Sequence, residues 1–446
     1  MNLRDILLSH SNKTALLDLN GNSLNYKELV VNAETACVSI KQSRSLVFIE
    51  ADSSFDVIYV YLGCLLLGHV PLMLDAELSE NLKNSLIKIY QPNYIFAKAQ
   101  FSEYSQNNHN LNDALALLLS TSGSTGSPKL VKLTINNVIE NAKSIATYLS
   151  LTPSDRAITN LPLNYSYGLS VLNSHLYSGA SVVVTNDTLF SKEFWTAVNE
   201  LGVTSLAGVP YTYEMYKRLR IQNMPLTNIR YLTQAGGKMS STTIEEFFLL
   251  CESRGWDFYI MYGQTEATAR MSYLSPDKLP SKIDSIGRAI PGGQFVISKH
   301  LDNDSVGEII YHGRNVMLGY ATSLADLSKG DELNGILHTG DLGYIDQDGD
   351  LYITGRNSRF IKIFGLRFNL DQVENAIKAQ GYVVVVGGVD DHLKVVTTCE
   401  VDVKSIKKFV IDTFKLNHRA ITVEYVHEII TKSSGKVDYQ AIFGEL

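Results

Sequence analysis

The feature that most constrains this chain is a nine-residue interruption, "TSGSTGSPK" (121–129), between the apolar runs "ALALLLS" (114–120) and "LVKL" (130–133). Two glycines, five hydroxyl side chains and a proline leave it almost no apolar surface to bury, so it belongs to neither a helix nor a strand. The flanking runs are too short for helices and read as strands, which makes the stretch a strand-to-strand turn. Small residues let backbone amides approach a ligand closely, hydroxyls add donors without bulk, and Lys129 supplies positive charge, a combination suited to phosphate oxygens. The spacing is not the GxxxxGK[ST] of a P-loop nucleotidase, and a strand separates the glycines from the next helix. Taken alone, a turn of this composition is most simply a surface connection.

Around it the pattern alternates between short β-rich runs and amphipathic helices, which predicts a layered α/β architecture. "SLVFIE" (45–50) and "SVVVT" (181–185) read as strands. Ile135, Val138, Ile139, Ala142, Ile145, Ala146 and Leu149 recur at helical spacing behind Thr134, a capping residue. The apolar run 57–74 is broken by Gly63, Gly68, His69 and Pro71, so it predicts a buried helix and a turn instead of a membrane span. The polar stretch 101–113 reads as a mobile connection. Near residue 356 the texture changes, and a boundary there gives a large layered domain, 1–356, and a small α+β domain, 357–446. The latter is predicted as a strand pair, a helix ("DQVENAIKA"), two strands joined at 390–392, a helix ("VKSIKKFVIDTF"), a strand ("AITVEYV") and a final loop. "DQDGD" (346–350) lacks the spacing of a calcium loop and signals a hairpin turn.

Composition excludes some classes. A net charge of −7 gives no basic field for nucleic acid or an anionic membrane surface. The four cysteines, at 37, 64, 251 and 399, follow no disulfide or zinc spacing and fit a reducing, cytoplasmic setting. The N-terminus carries Asp5 inside its apolar stretch and lacks the pattern of a secretory leader.

Seven segments, in order, carry a resemblance. "TSGSTGSPK" is similar to the phosphate loop of the adenylate-forming enzymes, the superfamily of acyl- and aryl-CoA synthetases, adenylation domains and firefly luciferase. "QAGGKMS" (234–240) resembles its adenine-wall segment, and "YGQTEAT" (262–268) its aromatic-Gly-x-Thr-Glu motif. "IGRAIPG" (286–292), "GEIIYHGRNVMLGYA" (307–321), "LHTGDLGYIDQDGDLYITGR" (337–356) and "TKSSGKVD" (431–438) follow, the last resembling the carboxy-terminal lysine loop.

The resemblance implies a mobile small domain and a two-step reaction: a carboxylate attacks the α-phosphate of ATP to give acyl-AMP and pyrophosphate, then a thiol displaces AMP. It implies that Thr121, Ser122, Gly123, Ser124, Thr125, Gly126 and Lys129 hold the β- and γ-phosphates. Gly236, Gly237, Tyr262 and Gly263 would border the adenine, Thr265 would contact the α-phosphate, and Glu266 would hold Mg²⁺. Asp341 would accept the ribose hydroxyls with Arg356 beside it, and Lys436 would bridge the carboxylate and the α-phosphate. Ser358 stands at the hinge, and Lys362, Gly365 and Arg367 in the loop presented to the thiol. Leu130, Tyr165, Ser358, Ile430 and Thr431 depart from the usual family residues.

The acid pocket is expected to draw on Tyr165, Tyr167, Gly168, Gly208, Val209 and Ala235. No acidic residue near 161–170 would pair an α-ammonium, which favours an acid without one. The thiol belongs to coenzyme A or to the phosphopantetheine of an acyl carrier protein. Two other readings carry less of the sequence: a stand-alone amino-acid adenylation module, and a non-catalytic protein that binds nucleotide or acyl-AMP, to which Lys436 would be superfluous.

Overall fold

The computed structural model describes residues 2–120, 129–298, 306–356, 359–363, 366–414, 416–432 and 435–444. It is a mixed α/β structure of several sheets with packed helices. Both apolar runs beside the glycine turn are strands, Leu115–Ser120 and Leu130–Thr134, paired antiparallel within a seven-stranded sheet. Each alternates its faces between two hydrophobic clusters, so neither has an exposed face to carry polar residues. The helix Ile135–Tyr148 starts where its cap predicts: the Thr134 hydroxyl accepts the Asn137 amide at 2.9 Å and the Asn137 side chain returns the bond at 2.8 Å.

The run 57–74 divides between the helix Phe55–Leu67 and the strand Val70–Asp75. Its turn is confined to Gly68 and His69, with Gly68 at φ +81 ending the helix in the left-handed conformation glycine adopts without strain. No helix among the described residues is long and apolar enough to cross a membrane. The polar stretch 101–113, expected to be mobile, is instead tied down. It opens in the strand Gln100–Glu103, and the buried Asn93 side chain bonds the carbonyls of Ser105 and Asn107 at 3.1 and 2.8 Å.

A second sheet positions the site. Ser205–Gly208, Tyr231–Gln234 and Asp257–Tyr262 run parallel and in register, joined by the helices Pro210–Arg218 and Ser241–Arg254. Their carboxyl ends, at Gly208, Gln234 and Tyr262, therefore lie side by side, and the carboxyl edge of a parallel sheet is where such folds place their ligands. A four-stranded antiparallel sheet follows, in which Ile336–Ile345 and Leu351–Arg356 form the predicted hairpin and set Asp341 opposite Arg356. In its turn the carboxylates of Asp346, Asp348 and Asp350 gather within 4.8 Å of one another. Lysines and an arginine neutralise them: Lys282 reaches Asp346 and Asp348 at 2.6 Å each, Lys278 reaches both oxygens of Asp350 at 3.1 Å, and Arg288 Nε reaches it at 3.2 Å.

The C-terminal segment has its own hydrophobic cluster, whose buried members run from Ile361 to Ile421. The strand pair, the helix Leu370–Lys378, the strands Val384–Val389 and His392–Thr397, the helix Val403–Phe414 and the strand Ile421–Tyr425 succeed one another as the sequence predicts. The final stretch is more than a loop, because it ends in the helix Tyr439–Phe443. Tyr439 anchors that helix by donating to both carboxylate oxygens of Glu374, at 3.1 and 3.2 Å.

Candidate active site

Residues distant in sequence meet at the carboxyl edge of the parallel sheet. Gly236 follows the strand Tyr231–Gln234 at φ +87, and a Cβ there would run into the Tyr165 hydroxyl and stand 3.1 Å from Val209 Cγ1 and 3.5 Å from Lys436 Cε. Four expected site residues thus share one contact point. Gly435, beside the lysine at φ +75, presses on the same spot: its Cβ would lie 2.7 Å from Val209 Cγ2. The lysine loop is closed by a bridge between Thr431 and Val437 and by Lys432 and Gly435 amide bonds of 2.8 Å each.

Lys436 is half-buried, with Nζ 5.0 Å from the centre of the Tyr165 ring. Loss of solvent lowers its pKa to about 8; Arg356 and Lys432 push the same way, against Glu266 and Asp341. A cation under that burden gains most from an anion arriving beside it.

Asp341 is 3% exposed and fully engaged. Oδ1 accepts Arg356 Nε at 3.0 Å, while Oδ2 accepts Gln264 Nε2 at 2.8 Å and the Tyr262 hydroxyl. The Thr339 hydroxyl accepts the Asp341 amide at 3.1 Å, which pins the backbone too. Burial, reinforced by the Asp341 charge, drives the Tyr262 phenol well above its ordinary pKa, so it remains a donor. Asp341 in turn is the largest influence raising the Arg356 pKa.

On the other side, Glu266 accepts the Tyr320 hydroxyl at 2.8 Å, and the Lys129 ammonium sits 3.3 Å from the centre of the Tyr320 ring. Lys129 and the acid of the "YGQTE" segment therefore meet on one tyrosine. Thr265 pairs its hydroxyl with that of Ser166 at 3.1 Å. Gly263 is obligatory, since a Cβ would overlap the Ala269 carbonyl where the following loop folds back.

The other expected residues divide. Thr121, Ser122, Gly123, Ser124, Thr125, Gly126, Ser358 and Gly365 lie outside the described residues, and Lys362 and Arg367 are placed by their backbone alone, opposite one another in the C-terminal strand pair. Gly208, Val209 and Ala235 line the carboxyl edge. Gly237 lies against the Pro210 ring, 3.2 Å from where its Cβ would be. Tyr167 and Gly168 are held by packing. The Tyr167 hydroxyl bonds Thr233, and a Cβ on Gly168 would overlap the Pro162 carbonyl. Sequence reasoning missed Gln264, Tyr320 and Ser166, whose roles come from contacts across the fold, although Gln264 and Tyr320 stand inside recognised segments.

The profile of the AMP-binding enzyme family matches residues 4–321. The chain belongs to the AMP-binding enzymes. Among curated members, the 2-succinylbenzoate–CoA ligase of Bacillus subtilis is 31% identical over 278 residues, covering 62% of this chain and 56% of that protein. The ligase of the same name from Oceanobacillus iheyensis is 25% identical over 394 residues, covering 82% and 80%. The match spans 56–66% of the length of the first three curated relatives. Among solved AMP-binding folds, the o-succinylbenzoate CoA synthetase of Bacillus subtilis in complex with its acyl-adenylate superposes with a TM-score of 0.79 at 24% identity, covering 97% of this chain and 96% of that one. ATP-bound MatB from Rhodopseudomonas palustris gives 0.79 at 20% identity, covering 99% and 98%. These likenesses establish the two-domain fold.

Proposed function

We propose that the protein is an ATP- and Mg²⁺-dependent acid–thiol ligase that forms acyl-AMP and then an acyl thioester. The observation that carries the reading is the seating of Lys436, from the last loop of the chain, against Tyr165 and Gly236 at the carboxyl edge of the sheet, within the fields of Glu266, Asp341 and Arg356. A lone lysine near a C-terminus is ordinarily solvated. The approach of Lys436 to residues of two family motifs and its lowered pKa support a role in chemistry on anions.

In the first half-reaction a substrate carboxylate oxygen bonds to the α-phosphorus of ATP and the bond to the bridging oxygen of pyrophosphate breaks. Two anions must meet, so the step needs charge neutralisation more than proton transfer. Lys436 supplies it between the carboxylate and the α-phosphate, Thr265 donates to the α-phosphate, and Lys129 with the Gly/Ser/Thr turn holds the outer phosphates. Asp341, preorganised by Tyr262, Gln264 and Arg356, takes the ribose hydroxyls by exchanging part of its present hydrogen-bond set. Glu266 fits Mg²⁺, since its carboxylate is a hard oxygen ligand oriented by the Tyr320 hydroxyl. When bound, Mg²⁺ neutralises phosphate charge.

In the second half-reaction a thiolate attacks the acyl carbon and AMP leaves. The acceptor is coenzyme A, as in the relatives' names, or a carrier-protein phosphopantetheine, which presents the same arm. We propose further that residues 357–446 turn as a unit about Ser358 against 1–356, withdrawing Lys436 and bringing Lys362, Gly365 and Arg367 to the thiol.

ATP–pyrophosphate exchange across aliphatic, aryl, hydroxy and amino acids and 2-succinylbenzoate tests the reading. Exchange with one acid class, lost in Lys436→Ala, is expected. Exchange that needs no acid, or that survives in Lys436→Ala, would overturn it.

A further inference from the structure

Directly after the loop that carries Glu266, the fold buries a charge that no carboxylate among the described residues answers. Arg270 is 2% exposed, and its guanidinium carbon lies 3.9 Å from the centre of the Tyr167 ring. Among the described residues neither Nε nor Nη1 has a hydrogen-bond partner and no carboxylate pairs with the group. A guanidinium cannot shed its proton to relieve burial as a lysine can. Stacking on tyrosine returns about 0.5–2 kcal/mol, against several kcal/mol for an ion taken out of water without a counter-charge. A charge in that position is missing an anion.

The backbone is built to hold it there. Thr268 and Ala269, neither a glycine, stand at φ +58 and +106 immediately before the arginine, strain on the order of 1–3 kcal/mol for each such residue. The Arg270 carbonyl is gripped from two elements, by Asn141 Nδ2 and by Asn315 Nδ2, each at 2.9 Å. Around the guanidinium stand Tyr148, Tyr165 and Tyr167, whose phenol pKa values burial raises and the Arg270 charge pulls back. Lys436 stands at the other end of this tyrosine set, 5.0 Å from the Tyr165 ring, whose centre is 6.1 Å from that of Tyr167. The two cations thus border one tyrosine cluster, Lys436 at Tyr165 and Arg270 at Tyr167.

We propose that Arg270 is a specificity-determining residue that receives a second carboxylate, so that the preferred substrate is a dicarboxylic acid with one carboxylate activated beside Lys436 and the other seated on Arg270. This rests on the reading of the site as one that activates a carboxylate. The spacer between the two carboxylates would then run along the tyrosine cluster.

The test is pyrophosphate exchange with matched pairs: aliphatic and aryl dicarboxylic acids, each against its monomethyl ester. The wild type is expected to show kcat/KM at least 100-fold higher for its best diacid than for the corresponding monoester. Arg270→Met should lower exchange with the diacid about 100-fold and with the monoester less than threefold, leaving KM for ATP unchanged, and Arg270→Lys should recover part of the loss. Equal use of diacid and monoester by the wild type would overturn the proposal without any variant. Equal loss of both substrates in Arg270→Met would reduce Arg270 to a prop for Tyr167 and also overturn it. No exchange with any acid would sink the activation reading, and calorimetric titration with the same pairs then decides Arg270 separately: tighter binding of the diacid, lost in Arg270→Met, supports it, and equal binding refutes it.

Discussion

The lowered pKa of Lys436 makes activity depend on pH in a direction the structure fixes. Holding the ammonium at about 8 instead of its ordinary 10.5 means that its surroundings, desolvation first and Arg356 and Lys432 with it, cost the charged form about 3 kcal/mol net in the free enzyme. Only the charged form can screen a carboxylate from an α-phosphate. The kcat/KM for ATP, which reports the free enzyme, should therefore be halved near pH 8 and fall about tenfold per unit above it. The kcat, measured with both anions bound, should hold to higher pH because each raises the lysine's affinity for its proton. Lys436→Arg carries a charge that does not titrate in this range; whatever its absolute rate, its kcat/KM profile should lose the alkaline limb. The assay is pyrophosphate exchange between pH 6 and 10 in buffers of constant ionic strength. A wild-type profile flat to pH 10, or an alkaline limb that persists in Lys436→Arg, would refute the reasoning. Stability follows the opposite sign: a lysine depressed in the folded state penalises folding below about pH 8, and the penalty fades as pH rises toward 10.5.

Three further outcomes follow from the geometry. Asp341→Asn keeps the shape but removes the charge that Arg356, Gln264 and Tyr262 converge on; nucleotide affinity measured by calorimetry should fall by one to two orders of magnitude, and unchanged affinity would count against a ribose role. Gly236→Ala puts a methyl onto the Tyr165 hydroxyl at a φ of +87, so beyond a strain of about 1–2 kcal/mol seen as a lowered Tm, adenylation should drop more than nucleotide binding because Lys436 is displaced. Glu374 accepts Arg359, Lys378, Tyr439 and the Val386 amide from within the C-terminal core. Glu374→Ala should destabilise that segment by about 3–5 kcal/mol, the range for breaking a buried ion pair, read by hydrogen exchange confined to residues 361–443.

What the sequence made legible were features carried by neighbours along the chain. The Thr134 cap, the strands beside the glycine turn and the 336–356 hairpin each depend on residues a few positions apart, and each stands where the pattern places it. Asp341 and Arg356 were recognisable as motif residues, and their pairing follows from the hairpin once its turn at 346–350 is known. Contacts between segments were not legible. Nothing local in "GRNVMLGYA" says that Tyr320 bonds Glu266 and carries Lys129 on its ring, nor does "ATARMS" say that Arg270 lies buried under Tyr167. The stretch 101–113 misled because its polarity is ordinary for a loop, whereas its anchor, the Asn93 side chain, lies in another element. The helix Tyr439–Phe443 is too short for periodicity to reveal, and contacts from distant residues hold it, Glu374 and Arg359 on Tyr439 and Gly387 against Phe443.

The most direct test of the central claim is a single turnover with enzyme in excess, ATP, Mg²⁺ and the acid but no thiol, quenched and read by mass spectrometry for acyl-AMP. The account predicts that wild-type enzyme accumulates acyl-AMP while Lys436→Ala forms it about 10²–10³-fold more slowly, and that the variant still passes a supplied acyl-AMP to thiol at close to the wild-type rate. Acyl-AMP formed equally fast by both proteins, or both half-reactions lost together in the variant, would contradict it.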